Sequence, residues 1–309
     1  MTGICNSVRP NRRYLIARQD NGGRGEGQKL MAWACDFGGG AQWLCAALLS
    51  AIVAMPASAA EGTNRYDTSY ATLQRIAVDL HRALPAEKRE GLLNAPVLLE
   101  NIKVPYLQPS DRLGASNNLR GAYISKGLID VLNYVSHAKA VDQVDSGFFE
   151  VAVKGLAETN GTLFNALQPT HPKAWAFNTM NWQMSHFNQM AAGLTAIQMA
   201  HHYLGHYKKY AAQLGDSKNV TPLYSVLTPK EWREAVLAGS WHALDCGLAP
   251  EGLVVLYDAI SRMPQRPAWA IQLMPPSAEV SILRLELNRV EARFFDARTS
   301  AREELKWSW

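Results

Sequence analysis

Two histidines spaced four residues apart carry the strongest chemical signal in the sequence. His202 and His206 lie late in a proline-free run over residues 173–220, long enough for a helix of several turns. On a helix both imidazoles leave the same face, and two imidazoles so placed can hold one zinc ion. In the H-E-x-x-H motif of zinc peptidases the Glu is the general base, whereas Tyr203 occupies that position here. The sequence therefore predicts a metal site with weak or lost hydrolysis, because a phenol with a pKa of about 10 is a poor base at neutral pH.

An amphipathic pattern predicts the helix that carries these histidines. Apolar residues recur at i, i+4, i+7 and i+14 from Met190 to Leu204, and His201 falls at i+11. This spacing indicates one stripe of a helix, which we expect over residues 184–214. His201 lies about 100° around that helix from His202. We therefore expect His201 to be a core or surface residue rather than the missing base.

The first sixty residues have the pattern of an export leader. An apolar run from Trp43 to Met55 is followed by Pro56-Ala57-Ser58-Ala59-Ala60. This order is typical of a secretory signal peptide cleaved near residue 60, and the alternative is an uncleaved amino-terminal anchor. We expect an exported protein, periplasmic or secreted, with no membrane span after cleavage.

Composition is that of a globular protein, with 48% hydrophobic and 19% charged residues. Residues 1–60 hold six of the 31 Lys and Arg and three of the 27 Asp and Glu, so 25 basic and 24 acidic residues remain. The resulting net charge of about +1 gives no reason to expect a nucleic-acid partner. Three of the four cysteines lie in the leader, so Cys246 remains alone and no internal disulfide is expected.

The remaining pattern predicts a mainly α-helical α+β domain with a small β-sheet. Thr228, Pro229 and Glu231 are typical of a helix start with a capping box. We expect helices over residues 68–84, 229–244 and 250–261 and from Ser277 onward. We expect strands near residues 97–104 and over Gly121–Ser125, the second leading into a helix at Leu128.

Four segments of the sequence are similar to motifs that occur in the same order in a known family. Residues 121–132 are similar to a strand and helix of the form GGYIxVxxGLLDLL, and residues 200–206 are similar to AHELGH. Residues 234–252 are similar to EADxxAxxxLxxAGxDPxG, and residues 274–284 to HPPSxERIxxLR. The order resembles that of the HtpX-like, CAAX-prenyl-protease-type family of zinc metallopeptidases. The resemblance implies a metallopeptidase-like domain over residues 61–309, with an insertion at 137–190.

The resemblance also implies one zinc ion and a third metal ligand on the helix after Thr228. The matching position falls on Trp232 or on Glu234, with Glu231 beside it. We choose Glu234, so the predicted ligands are His202, His206 and Glu234.

The implied function is that of an exported zinc metallopeptidase-like protein acting in envelope protein quality control, with hydrolysis weak or lost. The alternative is a non-catalytic, metal-free pseudopeptidase that acts as a peptide-binding or protein-binding scaffold. A third hypothesis is an active enzyme with an unrecognised base. In related peptidases the strand that matches Gly121–Ser125 lies at the edge of the sheet, and an extended substrate pairs with it through main-chain hydrogen bonds. The expected partner is therefore unfolded or extended protein.

Overall fold

Ten helices and three strands make up the part of the chain that the computed structural model describes, residues 69–111, 119–161, 163, 166–214 and 222–307. The predicted leader over residues 1–60 lies outside it. The strands are β1 Leu92–Glu100, β2 Leu107–Ser110 and β3 Arg120–Ser125, and a 3-10 turn spans Leu223–Ser225. The helices are α1 Ser69–Ala83, α2 Ala86–Arg89, α3 Lys126–Val141, α4 Phe148–Glu158, α5 Phe177–Tyr203, α6 His206–Leu214, α7 Pro229–Asp245, α8 Glu251–Ser261, α9 Ala268–Leu273 and α10 Val280–Trp307.

The small sheet confirms the predicted α+β class, but β3 does not lie at the edge of the sheet as predicted. The strand order is β1-β3-β2, with β1 parallel and β2 antiparallel to β3. Tyr123 of β3 is paired with Leu98 on one side and with Gln108 on the other. The expectation that Gly121–Ser125 is an edge strand is therefore wrong, because both of its sides are occupied by neighbouring strands.

Helix α5 is the centre of the core, and α7 and α8 approach it through glycines. A Cβ built on Gly239 of α7 would lie 2.7 Å from the backbone nitrogen of Ile197, and one built on Gly252 of α8 would lie 2.5 Å from that of Met190. Both contacts are closer than any side chain allows, so these helices touch backbone to backbone. Met190, Leu194, Ile197 and His201 of the predicted stripe are buried, whereas its last member, Leu204, is half-buried. The other residues between 190 and 201 are buried as well, so this half of α5 is surrounded by the core.

Residues 137–190 contribute to the same core as the rest of the domain. They include the end of α3, all of α4 and the first half of α5. Phe149, Leu156 and Phe187 are buried in the main hydrophobic cluster. That this stretch is an insertion relative to the metallopeptidase family stays a prediction. Over the described residues, no helix combines the length and apolar character needed to cross a membrane.

Candidate functional site

The predicted pair of zinc-binding histidines is divided between two helices. Helix α5 ends at Tyr203 and α6 begins at His206. Between them Gly205 adopts φ of 79°, a left-handed conformation that ends a helix and is favourable mainly for glycine. The prediction that His202 and His206 leave one face of a single helix is therefore wrong, because the chain changes direction between them.

His202 is used to hold the end of α5 against the central strand. Its Nε2 donates a hydrogen bond of 2.8 Å to the carbonyl oxygen of Gly121, and its ring packs 5.1 Å from the ring of Tyr207. Burial lowers the pKa of His202 to about 4, although the bond to the Gly121 carbonyl opposes that shift. The ring is therefore neutral at pH 7, and because Nε2 donates to a carbonyl, only Nδ1 keeps a lone pair that a metal could use.

His201, rather than His202, lies against His206. The Nδ1 atoms of the two rings are 3.1 Å apart, and the Nε2 of His206 is 3.6 Å from an Oε2 carboxylate oxygen of Glu234. The turn at Gly205 brings His206 round to the side of α5 on which His201 lies. The structure thus joins two of the three predicted ligands, His206 and Glu234, and places His202 elsewhere.

The three side chains of this contact group, His201, His206 and Glu234, differ in solvent exposure. His201 and His206 are buried, whereas half of the Glu234 side chain is exposed. Burial, together with the neighbouring His206 and His202, lowers the pKa of His201 to about 3. Of the two facing Nδ1 atoms, one donates a hydrogen bond and the other accepts it.

Tyr203, which occupies the Glu position of the predicted motif, is directed away from this group. Its ring lies under the Nζ of Lys88, 4.8 Å from the ring centroid. Burial raises the pKa of Tyr203, and the carboxylate of Asp245 raises it further. The phenol is therefore a weaker acid than in water and cannot replace a glutamate base.

A small cavity lies on the side of α5 that His201 faces. Its volume is about 30 Å³, room for one or two water molecules. The cavity is enclosed by β2, α5, α7, α8, α9 and the segment before α7. Its lining residues are Leu107, Pro109, Leu194, Ile197, Gln198, His201, Leu223, Tyr224, Leu227, Trp232, Tyr257, Gln272 and Leu273.

Five side chains with polar ends line this otherwise apolar cavity. They are Gln198, His201, Tyr224, Tyr257 and Gln272. Tyr257 is almost completely buried, and its hydroxyl has no hydrogen-bond partner within the described residues. A buried hydroxyl without a partner is costly, so this wall is suited to an ordered water or to a polar group of a bound molecule.

The zinc-peptidase motif can be aligned with the cavity-lining face of α5 only if its second histidine is placed at His201. Ile197 and His201 are four residues apart on one uninterrupted helix, with Gln198 beside them, so the pattern reads Ile-Gln-x-x-His where a zinc peptidase has His-Glu-x-x-His. Trp232 is the α7 residue that lines the same cavity. One imidazole, two carboxamides and two phenols do not make the three-ligand set that zinc requires.

No alternative metal site is found in the described ranges. Across residues 69–111, 119–161, 163, 166–214 and 222–307, no group of three or more His, Cys, Asp or Glu side chains could hold an ion together. Zinc therefore stays a prediction without a matching donor set.

Glu231, the acid beside the predicted ligand, has a structural role. Its Oε2 accepts hydrogen bonds from the backbone N–H of Thr228 at 2.9 Å and from the Tyr210 hydroxyl at 2.9 Å, while its Oε1 is 2.6 Å from the Nζ of Lys209. Burial alone would raise the pKa of Glu231, but the bonds from Lys209, Thr228 and Tyr210 lower it to about 2. The predicted capping box is thus confirmed.

The polar residues of the cavity were missed by the sequence prediction. Gln198 had a signal, because it is a polar side chain inside the apolar run from Met190 to Ala200. Tyr257 and Gln272 had none, since only the packing of α8 and α9 against α5 brings them to this wall.

Comparison with known proteins finds no matching family model, no similar curated protein and no similar solved structure.

Acid is expected to destabilise the fold through its buried histidines. The unfolded chain binds a proton on each histidine below about pH 6.5, whereas native His202 does so only near pH 4 and His201 near pH 3. The unfolded state therefore binds more protons in that window, and the free energy of unfolding falls as the pH is lowered, by up to about 1.4 kcal/mol per pH unit for each histidine. Urea unfolding across the window measures the slope.

A variant isolates the contribution of His202. His202→Gln keeps an amide donor at the reach of Nε2 but does not titrate, so its slope between about pH 6.5 and pH 4 should be smaller by one proton. An unchanged slope would show that His202 is protonated in the native state.

Proposed function

We propose that this chain is an exported, non-catalytic and metal-free protein of the metallopeptidase-like kind, which binds extended segments of other proteins without cleaving them. One observation carries the proposal: the face of α5 that lines the cavity offers a single imidazole, with Ile197 and Gln198 where a second ligand and a base would stand. An aliphatic side chain binds no metal, and a carboxamide takes no proton at neutral pH. A role in envelope protein quality control belongs to the same proposal.

The outer edge of β2 is the surface on which an extended segment would pair. The backbone N–H of Ser125 donates to the carbonyl of Tyr106 at 3.1 Å, so Tyr106 faces β3. In an antiparallel pair the next residue points the opposite way, so Leu107 turns its N–H and carbonyl away from β3. Pro109, which is likewise turned outward, has no N–H to offer.

The cavity next to this edge would have to widen from its volume of about 30 Å³ to receive the side chain of a bound segment. Leu107 and Pro109 line it from β2, and Leu194 and Ile197 line it from α5. Main-chain pairing at a strand edge provides affinity, and an adjacent apolar pocket provides selectivity for apolar side chains. The expected ligand is therefore an unfolded polypeptide with exposed apolar residues.

Binding without cleavage is the test. Fluorescein-labelled, reduced and carboxymethylated α-lactalbumin, an unfolded protein, is titrated with the full chain, and anisotropy reports binding while gel analysis reports cleavage. Leu107→Pro removes the outward N–H and should weaken binding by about tenfold, the effect of about 1.4 kcal/mol. Leu107→Ala is the matched control, because it removes the same side chain but keeps the N–H. Equal loss in both variants would exclude pairing at this edge.

A weakly active zinc peptidase remains the second candidate, favoured by the approach of His206 to Glu234 at 3.6 Å. Zinc-dependent cleavage of the same unfolded protein by the wild type, abolished in both His202→Ala and His206→Ala, would support it and overturn the metal-free proposal.

A further inference from the structure

The outward carbonyl of β2 already has a partner from the same chain. The Nε2 of Gln272, on α9, donates a hydrogen bond to the carbonyl oxygen of Leu107. This is the acceptor that an added strand would use for its own backbone N–H. A side-chain amide thus occupies the place of a peptide amide.

A short segment covers the neighbouring cavity. We call residues 222–227, which contain the 3-10 turn, the covering segment. Its residues Leu223, Tyr224 and Leu227 line the cavity together with His201 and Gln198. The side chains of the covering segment therefore take up the space beside β2 that an apolar side chain of a bound polypeptide would need.

The covering segment is anchored outside the main core. Leu223 packs with Tyr210 and Leu214 of α6 in a second, smaller hydrophobic cluster, which Val226 and Leu227 join at its margin. A segment held by a small separate cluster can open at a lower free energy than the core around α5.

Glu231 fastens the end of the covering segment to α6. Its carboxylate accepts from the backbone N–H and the hydroxyl of Thr228, which directly follows the segment, and from Lys209 and Tyr210 of α6. One side chain therefore joins the covering segment, α6 and the start of α7.

We propose that the covering segment and Gln272 form a self-occluding device, which blocks the β2 edge and its cavity until the contacts of Glu231 with α6 are released. This inference rests on the proposed function, since it concerns the access of extended polypeptide to the same site. The affinity measured for the wild type is then the intrinsic affinity reduced by the small fraction of molecules in which the site is open.

Two variants that weaken the occlusion in different ways test the proposal in the full chain. Gln272→Ala frees the Leu107 carbonyl, and Glu231→Gln weakens the attachment to α6. Each should tighten binding of the labelled unfolded lactalbumin, by about tenfold if the open fraction rises tenfold. Amide hydrogen exchange of residues 222–227 should become faster in Glu231→Gln. Glu90→Gln, a change of an exposed carboxylate outside these contacts, is the control.

The outcomes separate this proposal from the function on which it rests. If the wild type binds and neither variant binds more tightly, the site is open already and self-occlusion is wrong, while the proposed function stands. If exchange becomes faster but binding weakens, the covering segment is part of the binding surface, and the proposal is again overturned. If no variant binds even when exchange is faster, the proposed function itself fails.

Discussion

Gly239→Ala is expected to lower the free energy of unfolding by about 3 kcal/mol, a large effect for one methyl group. A Cβ at this position would lie 2.7 Å from the backbone nitrogen of Ile197 and 2.9 Å from the carbonyl carbon of Ala196. Neither atom belongs to a side chain that could rotate away, so α7 and α5 must separate. Because Ile197 also lines the cavity, the separation should disturb the candidate site as well as the core.

Chemical denaturation compares this variant with Gly155→Ala in α4. A Cβ on Gly155 would meet nothing within 4 Å. Replacing a glycine inside a helix by alanine should then stabilise the protein by up to about 1 kcal/mol, since alanine has the higher helix propensity. Opposite signs for the two variants are the expected result. Similar small changes in both would show that α5 and α7 are not in backbone contact.

Local patterns in the sequence were sufficient for much of the fold. The helix predicted over residues 68–84 corresponds to α1, and Leu73, Ile76 and Leu80, which recur there at helical spacing, are all buried. The capping box at Thr228 predicted the start of α7, and its hydrogen bonds are present. Such features depend on residues within a few positions of one another, which is why sequence spacing predicts them.

The place of the strand at Gly121–Ser125 could not be obtained in the same way. A short, largely buried segment identifies the strand, but its position in the sheet depends on pairing with β1 and β2, which precede it in the chain. An edge strand and a central strand of this length have similar sequences when both are largely buried. Only the long-range register, with Tyr123 between Leu98 and Gln108, distinguishes them.

The sequence prediction paired the wrong histidine with His206 because it did not anticipate the helix end at Gly205. The proline-free run predicted one helix through residue 214, but Gly205 takes up a left-handed conformation and ends α5. Glycine is tolerated inside helices and is also the usual residue after a helix end, so its presence alone does not decide between the two. Its conformation here separates His202 from His206 and brings His206 to His201.

Zinc binding by two designed variants distinguishes between the two possible positions of the motif, residues 197–201 and residues 202–206. Ile197→His, Gln198→Glu and Trp232→Glu together complete a two-imidazole and one-carboxylate set, with a base, around the cavity. Tyr203→Glu alone completes the string H-E-x-x-H at residues 202–206. If the cavity-lining face of α5 corresponds to the metal-binding face of a zinc peptidase, the triple variant should bind about one zinc ion per chain and Tyr203→Glu should bind none.

Metal analysis and thermal unfolding with and without zinc provide the measurement. Replacing buried Trp232 leaves a void and adds charge, so the triple variant should be much less stable without metal than the wild type. Zinc at a hundredfold excess over its Kd should restore about 2.7 kcal/mol, because binding to the native state alone raises its stability. Zinc gained by Tyr203→Glu instead, and lost again on adding His202→Ala, would mean that His202 leaves the Gly121 carbonyl to bind metal. The site would then lie at the end of α5, where the spacing of the two histidines first indicated it.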